Sequence, residues 1–317
     1  MNFYIDKKNL KKNGGPYNFA KVLENELIKN FGAKKKFFFP KINIIFSLGR
    51  IFKYSKNVVR VDGIFCQNLN DKKKKINKKI FETISKADGV IFQSNFSKKL
   101  ITYYCKKNYK FNIKTLQNVV ISNAYTAEHY LQKKINHFKY KYVLLTITRK
   151  SKNKRLSQII EAFKDLDEKK FLLIIVGEYF KEDFVKRKNI KFLGNINNNK
   201  LPFYFKRSDA LIHIAKIDSC PNAVVEGLSC GLPVLTNNVG GTKELVQNHG
   251  IILNLDKKIL YNNKYLSDYR CNNKILSNGI KKIVKIKRKK INKFNPKTIS
   301  QKYFNFFKKI TDDQNKR

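Results

Sequence analysis

Two acidic side chains with seven residues between them, Asp218 and Glu226, bracket a stretch whose residue types suit an anion. The segment reads SDALIHIAKIDSCPNAVVEGLSCGLPVLTNNVGGTKELV from Ser208 to Val246. Pro221 suits the first position of a helix, because its missing N–H is one that a helix start leaves unpaired. The amides of Asn222, Ala223 and Val224 would then face out of a helix N-terminus, which favours phosphate. Two carboxylates are a poor choice for holding the phosphate itself. Ionised carboxylates only accept hydrogen bonds, so they suit hydroxyl-rich groups beside it, such as a sugar and a ribose. A second stretch, Arg149-Lys-Ser-Lys-Asn-Lys154, offers the matching cations. Arg149 can grip a diphosphate bidentately, and Lys154 adds a point charge.

These groups need a scaffold, and the flanking patterns supply one. Ala210–Ile214 is an apolar run of strand length, and the polar loop Lys216–Cys220 follows it. The helix after Pro221 ends at Gly231, a suitable left-handed cap, and Leu232–Leu235 is the next buried strand. Gly240-Gly241 then turns into a short helix carrying Glu244. Strand, loop, helix, strand, loop, helix is half of a parallel nucleotide-binding unit. Tyr142–Thr148, Phe171–Val176, Ile190–Gly194 and Ile251–Asn254 supply further strands, with helices over Ser157–Phe163 and Leu201–Phe205. His213, inside an apolar strand, reads as a core histidine.

The first part of the chain repeats the theme. Strand Asn2–Ile5 is followed by Gly14-Gly15, a turn that lets backbone approach a phosphate or sugar closely, and by a helix over Tyr17–Asn30. Strands are expected at Ile42–Phe46, Val58–Val61, Gly89–Gln93 and Val119–Ile121, and Ser94 is a good N-cap. Asn70–Lys79 reads as a lysine-rich connection, followed by a helix through Ile80, Ile84 and Ala87. Asp62, at a strand's carboxyl end, either binds acceptor hydroxyls or closes a turn. Thr126–Tyr140 reads as a linker, and two helices, Ile275–Ile286 and Thr298–Ile310, close the chain.

The acidic-x7-Glu spacing, with CGLPV and GGTKELV after it, resembles the family-4 retaining glycosyltransferases, the glycosyl transferases group 1, with Asp218 in place of the more usual Glu. Arg149-x4-Lys154 is similar to that family's pyrophosphate-binding pair, and Gly14-Gly15 to its N-terminal glycine loop. The resemblance implies an α/β protein of GT-B fold, two Rossmann-like domains facing each other across a cleft. An acceptor-side domain would span 1–130 and a nucleotide-sugar donor domain 140–290, with a helix at 296–312 crossing back to the first domain. It implies transfer of a hexose-type sugar from a nucleoside diphosphate to an acceptor hydroxyl with retention. Asp218 would bind the sugar hydroxyls, Glu226 the ribose, and Glu244 the ribose or the cleft wall. Arg149, Lys154 and the amides of Asn222, Ala223 and Val224 would neutralise the leaving diphosphate. No cofactor and no metal are implied. Asp62 stands where many relatives have a donor-contacting histidine. A glycan or lipid-linked acceptor is implied, in cell-surface polysaccharide or glycolipid synthesis.

At 317 residues with 42% hydrophobic content, the chain can form two ordinary domains. No apolar run is long enough to span a bilayer, and the first residues do not read as a signal peptide. Five cysteines without CxxC spacing read as reduced thiols, which suggests a cytoplasmic protein. The net charge of +45 raises a nucleic-acid reading. Basic residues are spread along the whole chain, however, and the excess of Lys, Asn, Ile, Phe and Tyr looks like drift in an AT-rich genome. No nucleic-acid partner is therefore expected, while peripheral contact with anionic lipid at the inner membrane face is retained. Two other classes stand beside the transferase. One is a hydrolase with Asp218 and Glu226 as acid and base, which leaves the basic loop without a purpose. The other is a basic nucleic-acid or membrane-surface binder with a degenerate transferase fold.

Overall fold

The computed structural model describes residues 1–12, 14–66, 70–113, 116–125, 138–255 and 272–312. Residues 126–137 of the expected linker, and Cys271, lie outside them. The chain divides into two compact units, residues 1–124 with 293–317, and residues 125–292.

The first unit is built on six parallel strands. These are β1 (Asn2–Asp6), β2 (Lys34–Lys35), β3 (Ile42–Phe46), β4 (Lys56–Val61), β5 (Gly89–Phe92) and β6 (Gln117–Val120), in the order β2-β1-β3-β4-β5-β6. Ile42, Ile44, Ile45, Val58 and Val59 are fully buried, as expected where helices cover both faces of a parallel sheet. Helix α1 (Gly15–Phe31) lays Phe19, Ala20, Leu23 and Leu27 on that core, and Gly32 closes it in the left-handed conformation. Asp71–Ser85 forms α2, so the lysine-rich run is helix and not connection. Asn70 caps it by accepting the Lys73 amide at 3.0 Å, and Ile80, Phe81 and Ile84 turn inward while Lys72, Lys74, Lys75, Lys78 and Lys79 stay in water. Helix α3 (Asn95–Tyr109) starts at Ser94, whose hydroxyl accepts the Ser97 amide at 3.1 Å.

The second unit also has six parallel strands. They are β7 (Tyr142–Thr148), β8 (Phe171–Gly177), β9 (Ile190–Gly194), β10 (Ala210–His213), β11 (Val234–Asn237) and β12 (Gly250–Leu253). Their order, β12-β11-β10-β7-β8-β9, reverses direction between β7 and β10. Helices α4 (Leu156–Lys164), α5 (Leu201–Arg207), α6 (Asn222–Ser229), α7 (Thr242–Val246) and α8 (Asn273–Ile283) flank the sheet. Leu156, Ile159, Ile160 and Phe163 of α4 share one core with Leu276, Ile280 and Ile283 of α8. In such sheets ligands bind beyond the strands' carboxyl ends where the order reverses, which points to the loops after β7 and β10.

The last helix, α9 (Pro296–Asp312), belongs to the first unit. Tyr303, Phe307 and Ile310 enter its core, and Phe304 stacks on Phe31 with ring centroids 4.7 Å apart. A Cβ on Gly89 would overlap Ile310, so β5 needs glycine where α9 crosses it.

Candidate active site

The loop after β7 carries Arg149 to Lys154 and tightens into a 3-10 turn at Lys152–Lys154. Asn153 ties this turn to the loop after β10. Its side-chain amide donates to the Ile217 carbonyl at 2.7 Å and accepts the Ile217 amide at 2.9 Å, while its carbonyl accepts the Lys216 amide at 2.9 Å. With the two loops clipped together, the Lys154 ammonium meets Asp218 at 2.8 Å. His213 Nε2 stands 3.5 Å from the same carboxylate oxygen, at the outer limit of hydrogen bonding. Burial would raise the Asp218 carboxyl, but the Lys154 charge and the His213 ring outweigh it and hold it well below the ordinary carboxylate range. Burial, helped by Lys154, keeps His213 below its own range, so this ring is neutral at pH 7. The core histidine thus lines the site. Arg149 is exposed and makes no ion pair among the described residues. Arg155 is buried at φ 57° between the turn and α4.

Helix α6 begins one residue later than the proline pattern suggests, with Pro221 as N-cap and Asn222 as the first helical residue. The expectation of three outward amides needs correction, because the Val224 N–H donates to the Pro221 carbonyl at 3.0 Å. The last turn ends as expected, with Gly231 left-handed at φ 76°. The Glu226 side chain makes no hydrogen bond or ion pair among the described residues, and burial pushes its carboxyl up to about 7. The turn before α7 is fixed on Asp218 itself. The Gly241 amide donates to the Asp218 carbonyl at 2.7 Å, and a Cβ on Gly240 (φ 75°) would come within 2.9 Å of that oxygen. Glu244, half-buried in α7, is thereby carried to the same corner as Asp218.

Gly14, Gly15 and Asp62 lie in the first unit. Gly14 is the N-cap of α1 and Gly15 its first residue, and a Cβ on Gly14 would press on the Lys11 carbonyl at 3.0 Å. Asp62 directly follows β4, and its carboxylate already has partners. It pairs with Arg60 of β4 and accepts a hydrogen bond from Gln93 Nε2 at 2.6 Å, and its amide donates to Ser47 Oγ at 2.9 Å. Arg60 is only 1% exposed, donates to Asn123, and lies over the rings of Phe19 and Phe46 at 4.5 and 5.0 Å. Sequence reasoning missed Arg60 because it sits inside an apolar strand. It missed Asn153 because a loop asparagine has no local signature for a partner 64 residues away. The one available signal for Arg60 was a charge at i−2 from Asp62, on the same strand face. Among the described residues no group of three or more His, Cys, Asp or Glu side chains could hold a metal ion.

Solved structures share this architecture. That of Anabaena Alr3699/HepE in complex with UDP superposes with a TM-score of 0.63 at 15% identity, covering 98% of this chain and 100% of that one. The fold is GT-B, with two Rossmann-like units. Residues 129–299 match the family model described as glycosyl transferases group 1, and the chain belongs to that family. Its relatives include the uncharacterized glycosyltransferase MJ1059 of Methanocaldococcus jannaschii, 28% identical over 68% of this chain and 56% of that protein. The O-antigen biosynthesis glycosyltransferase WbnH of Escherichia coli is 32% identical over 31% of this chain and 30% of its own length. The chain thus spans 56% and 30% of these two curated relatives.

Proposed function

We propose that the protein transfers a hexose-type sugar from a nucleoside-diphosphate donor to an acceptor hydroxyl with retention of configuration. The observation that carries this reading is the Lys154–Asp218 pair, held where the strand order reverses and directly before the start of α6. Arg149 and Lys154 would meet the diphosphate, assisted by the amides of Asn222 and Ala223. An ammonium has three N–H donors, so Lys154 can serve Asp218 and a phosphate oxygen together. Asp218, kept ionised, accepts hydrogen bonds from sugar hydroxyls; Glu226 accepts them from the ribose, with Glu244 beside it.

In the reaction the C1–O bond to the diphosphate breaks and the acceptor oxygen bonds to C1 on the same face. The acceptor's proton passes to the departing phosphate oxygen, so no protein base is required. Arg149 and Lys154 stabilise the charge that grows on the leaving group, the kind of term that usually contributes most. The WbnH likeness supports an acceptor in cell-surface polysaccharide or glycolipid synthesis. The test is a thermal-shift panel with UDP, GDP, ADP and CMP on wild type and Glu226→Ala. One diphosphate at a hundredfold excess over its Kd should stabilise wild type by about 2.7 kcal/mol and leave the variant unmoved. A folded wild type that responds to none of them would contradict the reading.

A further inference from the structure

We propose that the edge of the first sheet, at Lys34–Lys41 together with Tyr54, is a docking surface for an anionic lipid bilayer. Strand β2 ends the sheet, and the chain leaves it as Lys36-Phe-Phe-Phe-Pro-Lys41. Phe37, Phe38 and Phe39 are 52%, 71% and 69% exposed, and Tyr54 beside Phe39 is 71% exposed. Single exposed apolar residues are ordinary, but four large rings in one patch mark an interaction site.

The patch is built, not frayed. Phe37 packs edge-on to Tyr4 with centroids 5.2 Å apart, Pro40 is buried, and the Lys35 ammonium reaches Glu24 at 2.8 Å. Phe39 holds φ 48°, a conformation unfavourable for a bulky side chain, while its ring stays in water.

Charge decides the partner. Between Glu26 and Asp62 the chain carries seven lysines and two arginines and no acidic residue. Lys34, Lys36, Lys41 and Lys53 are exposed around the rings. Aromatic side chains at headgroup depth, ringed by lysines, fit an anionic membrane surface. A single-stranded nucleic acid fits less well. Residues 34–41 offer no side chain that accepts a hydrogen bond from a base edge, and Phe37 and Phe38 stand at 84° to each other, so they present no stacking platform.

The decisive variant leaves charge untouched, because a protein of net charge +45 will adhere to any anionic surface to some degree. Sedimentation with phosphatidylcholine vesicles containing 30% phosphatidylglycerol would compare wild type with F38S/F39S/Y54S. A matched F184S/F203S protein removes two exposed rings from the second unit. Circular dichroism melts would verify that each variant folds. The patch variant should bind about tenfold more weakly or worse, with the remainder abolished by salt, and the matched variant should bind like wild type. Equal binding by the patch variant and wild type would overturn the proposal, as would wild type ignoring the vesicles. Lost affinity for a single-stranded oligonucleotide, or lost self-association, with vesicle binding intact, would assign the patch to a different partner and overturn it as well.

Discussion

At the carboxyl ends of its strands the first sheet joins Arg60, Asp62, Gln93 and Asn123 in one network, while the second leaves Arg149 in water beside the Lys154–Asp218 pair. Both units use parallel strands, and both put charge where ligands of such folds bind. The difference lies in what the charge faces. Arg60 is enclosed by Phe19 and Phe46 and meets Asp62 and Asn123, so its charge is spent on structure. In the second unit Lys154 is oriented by Asp218, Glu226 carries a buried carboxyl with no partner among the described residues, and Arg149 is open. A charged residue at a strand end therefore says little by itself; whether its neighbours already satisfy it separates scaffold from site.

Replacing the charges one at a time should bring out this contrast. Arg149→Ala should lower kcat by about a hundredfold to a thousandfold, the usual effect of removing one donor from a charge-stabilising site. Its melting temperature should not move, since the side chain has no partner among the described residues to lose. Arg60→Met should do the reverse, costing about 3–5 kcal/mol of stability by leaving Asp62 without its cation, with the Kd for the nucleoside diphosphate unchanged. Urea unfolding and calorimetric titration of both variants would check the pair. A stability loss in Arg149→Ala, or a donor-affinity loss in Arg60→Met, would erase the distinction.

Glu226 gives a smaller effect with a pH signature. Its folded pKa of about 7 lies above the usual carboxylate value, so burial costs nothing at low pH, where folded and unfolded chains are both protonated. The cost grows as pH rises towards 7 and is constant above it. Glu226→Gln should therefore match wild type near pH 4 and be more stable by up to roughly 3 kcal/mol at pH 8, measured by chemical unfolding. Donor affinity should run the other way. An ionised carboxylate accepts ribose hydroxyls best, so wild-type affinity should rise through pH 7, while the Gln variant should be weak at every pH. Asp218 stays ionised throughout this range and adds no step.

Much of the scaffold was legible because parallel strands covered on both faces are unbroken apolar runs. Tyr142–Thr148 and Ile42–Phe46 stand where the pattern puts them. Proline and glycine marked the two ends of α6 for the same reason, each by what its backbone can adopt. The last turns of α2 were legible from Ile80 and Ile84, but its lysine-rich first turns read as connection because little apolar periodicity survives among the charges. Two-residue β2 has no periodicity to detect. Within the site, residue types and spacing identified Lys154 and Asp218 separately. Their pairing was invisible, because it depends on Asn153 joining two loops 64 residues apart.

The most direct measurement is amide hydrogen exchange of wild type with and without the nucleoside diphosphate that stabilises it. Protection should concentrate in residues 149–154, 217–226 and 240–244, with the amides of Asn222 and Ala223 slowed most and the ends of β4 and β5 unchanged. Protection at Asp62 and Gln93 with none in the loops after β7 and β10 would contradict the account, because the donor would then bind where the charges are already satisfied.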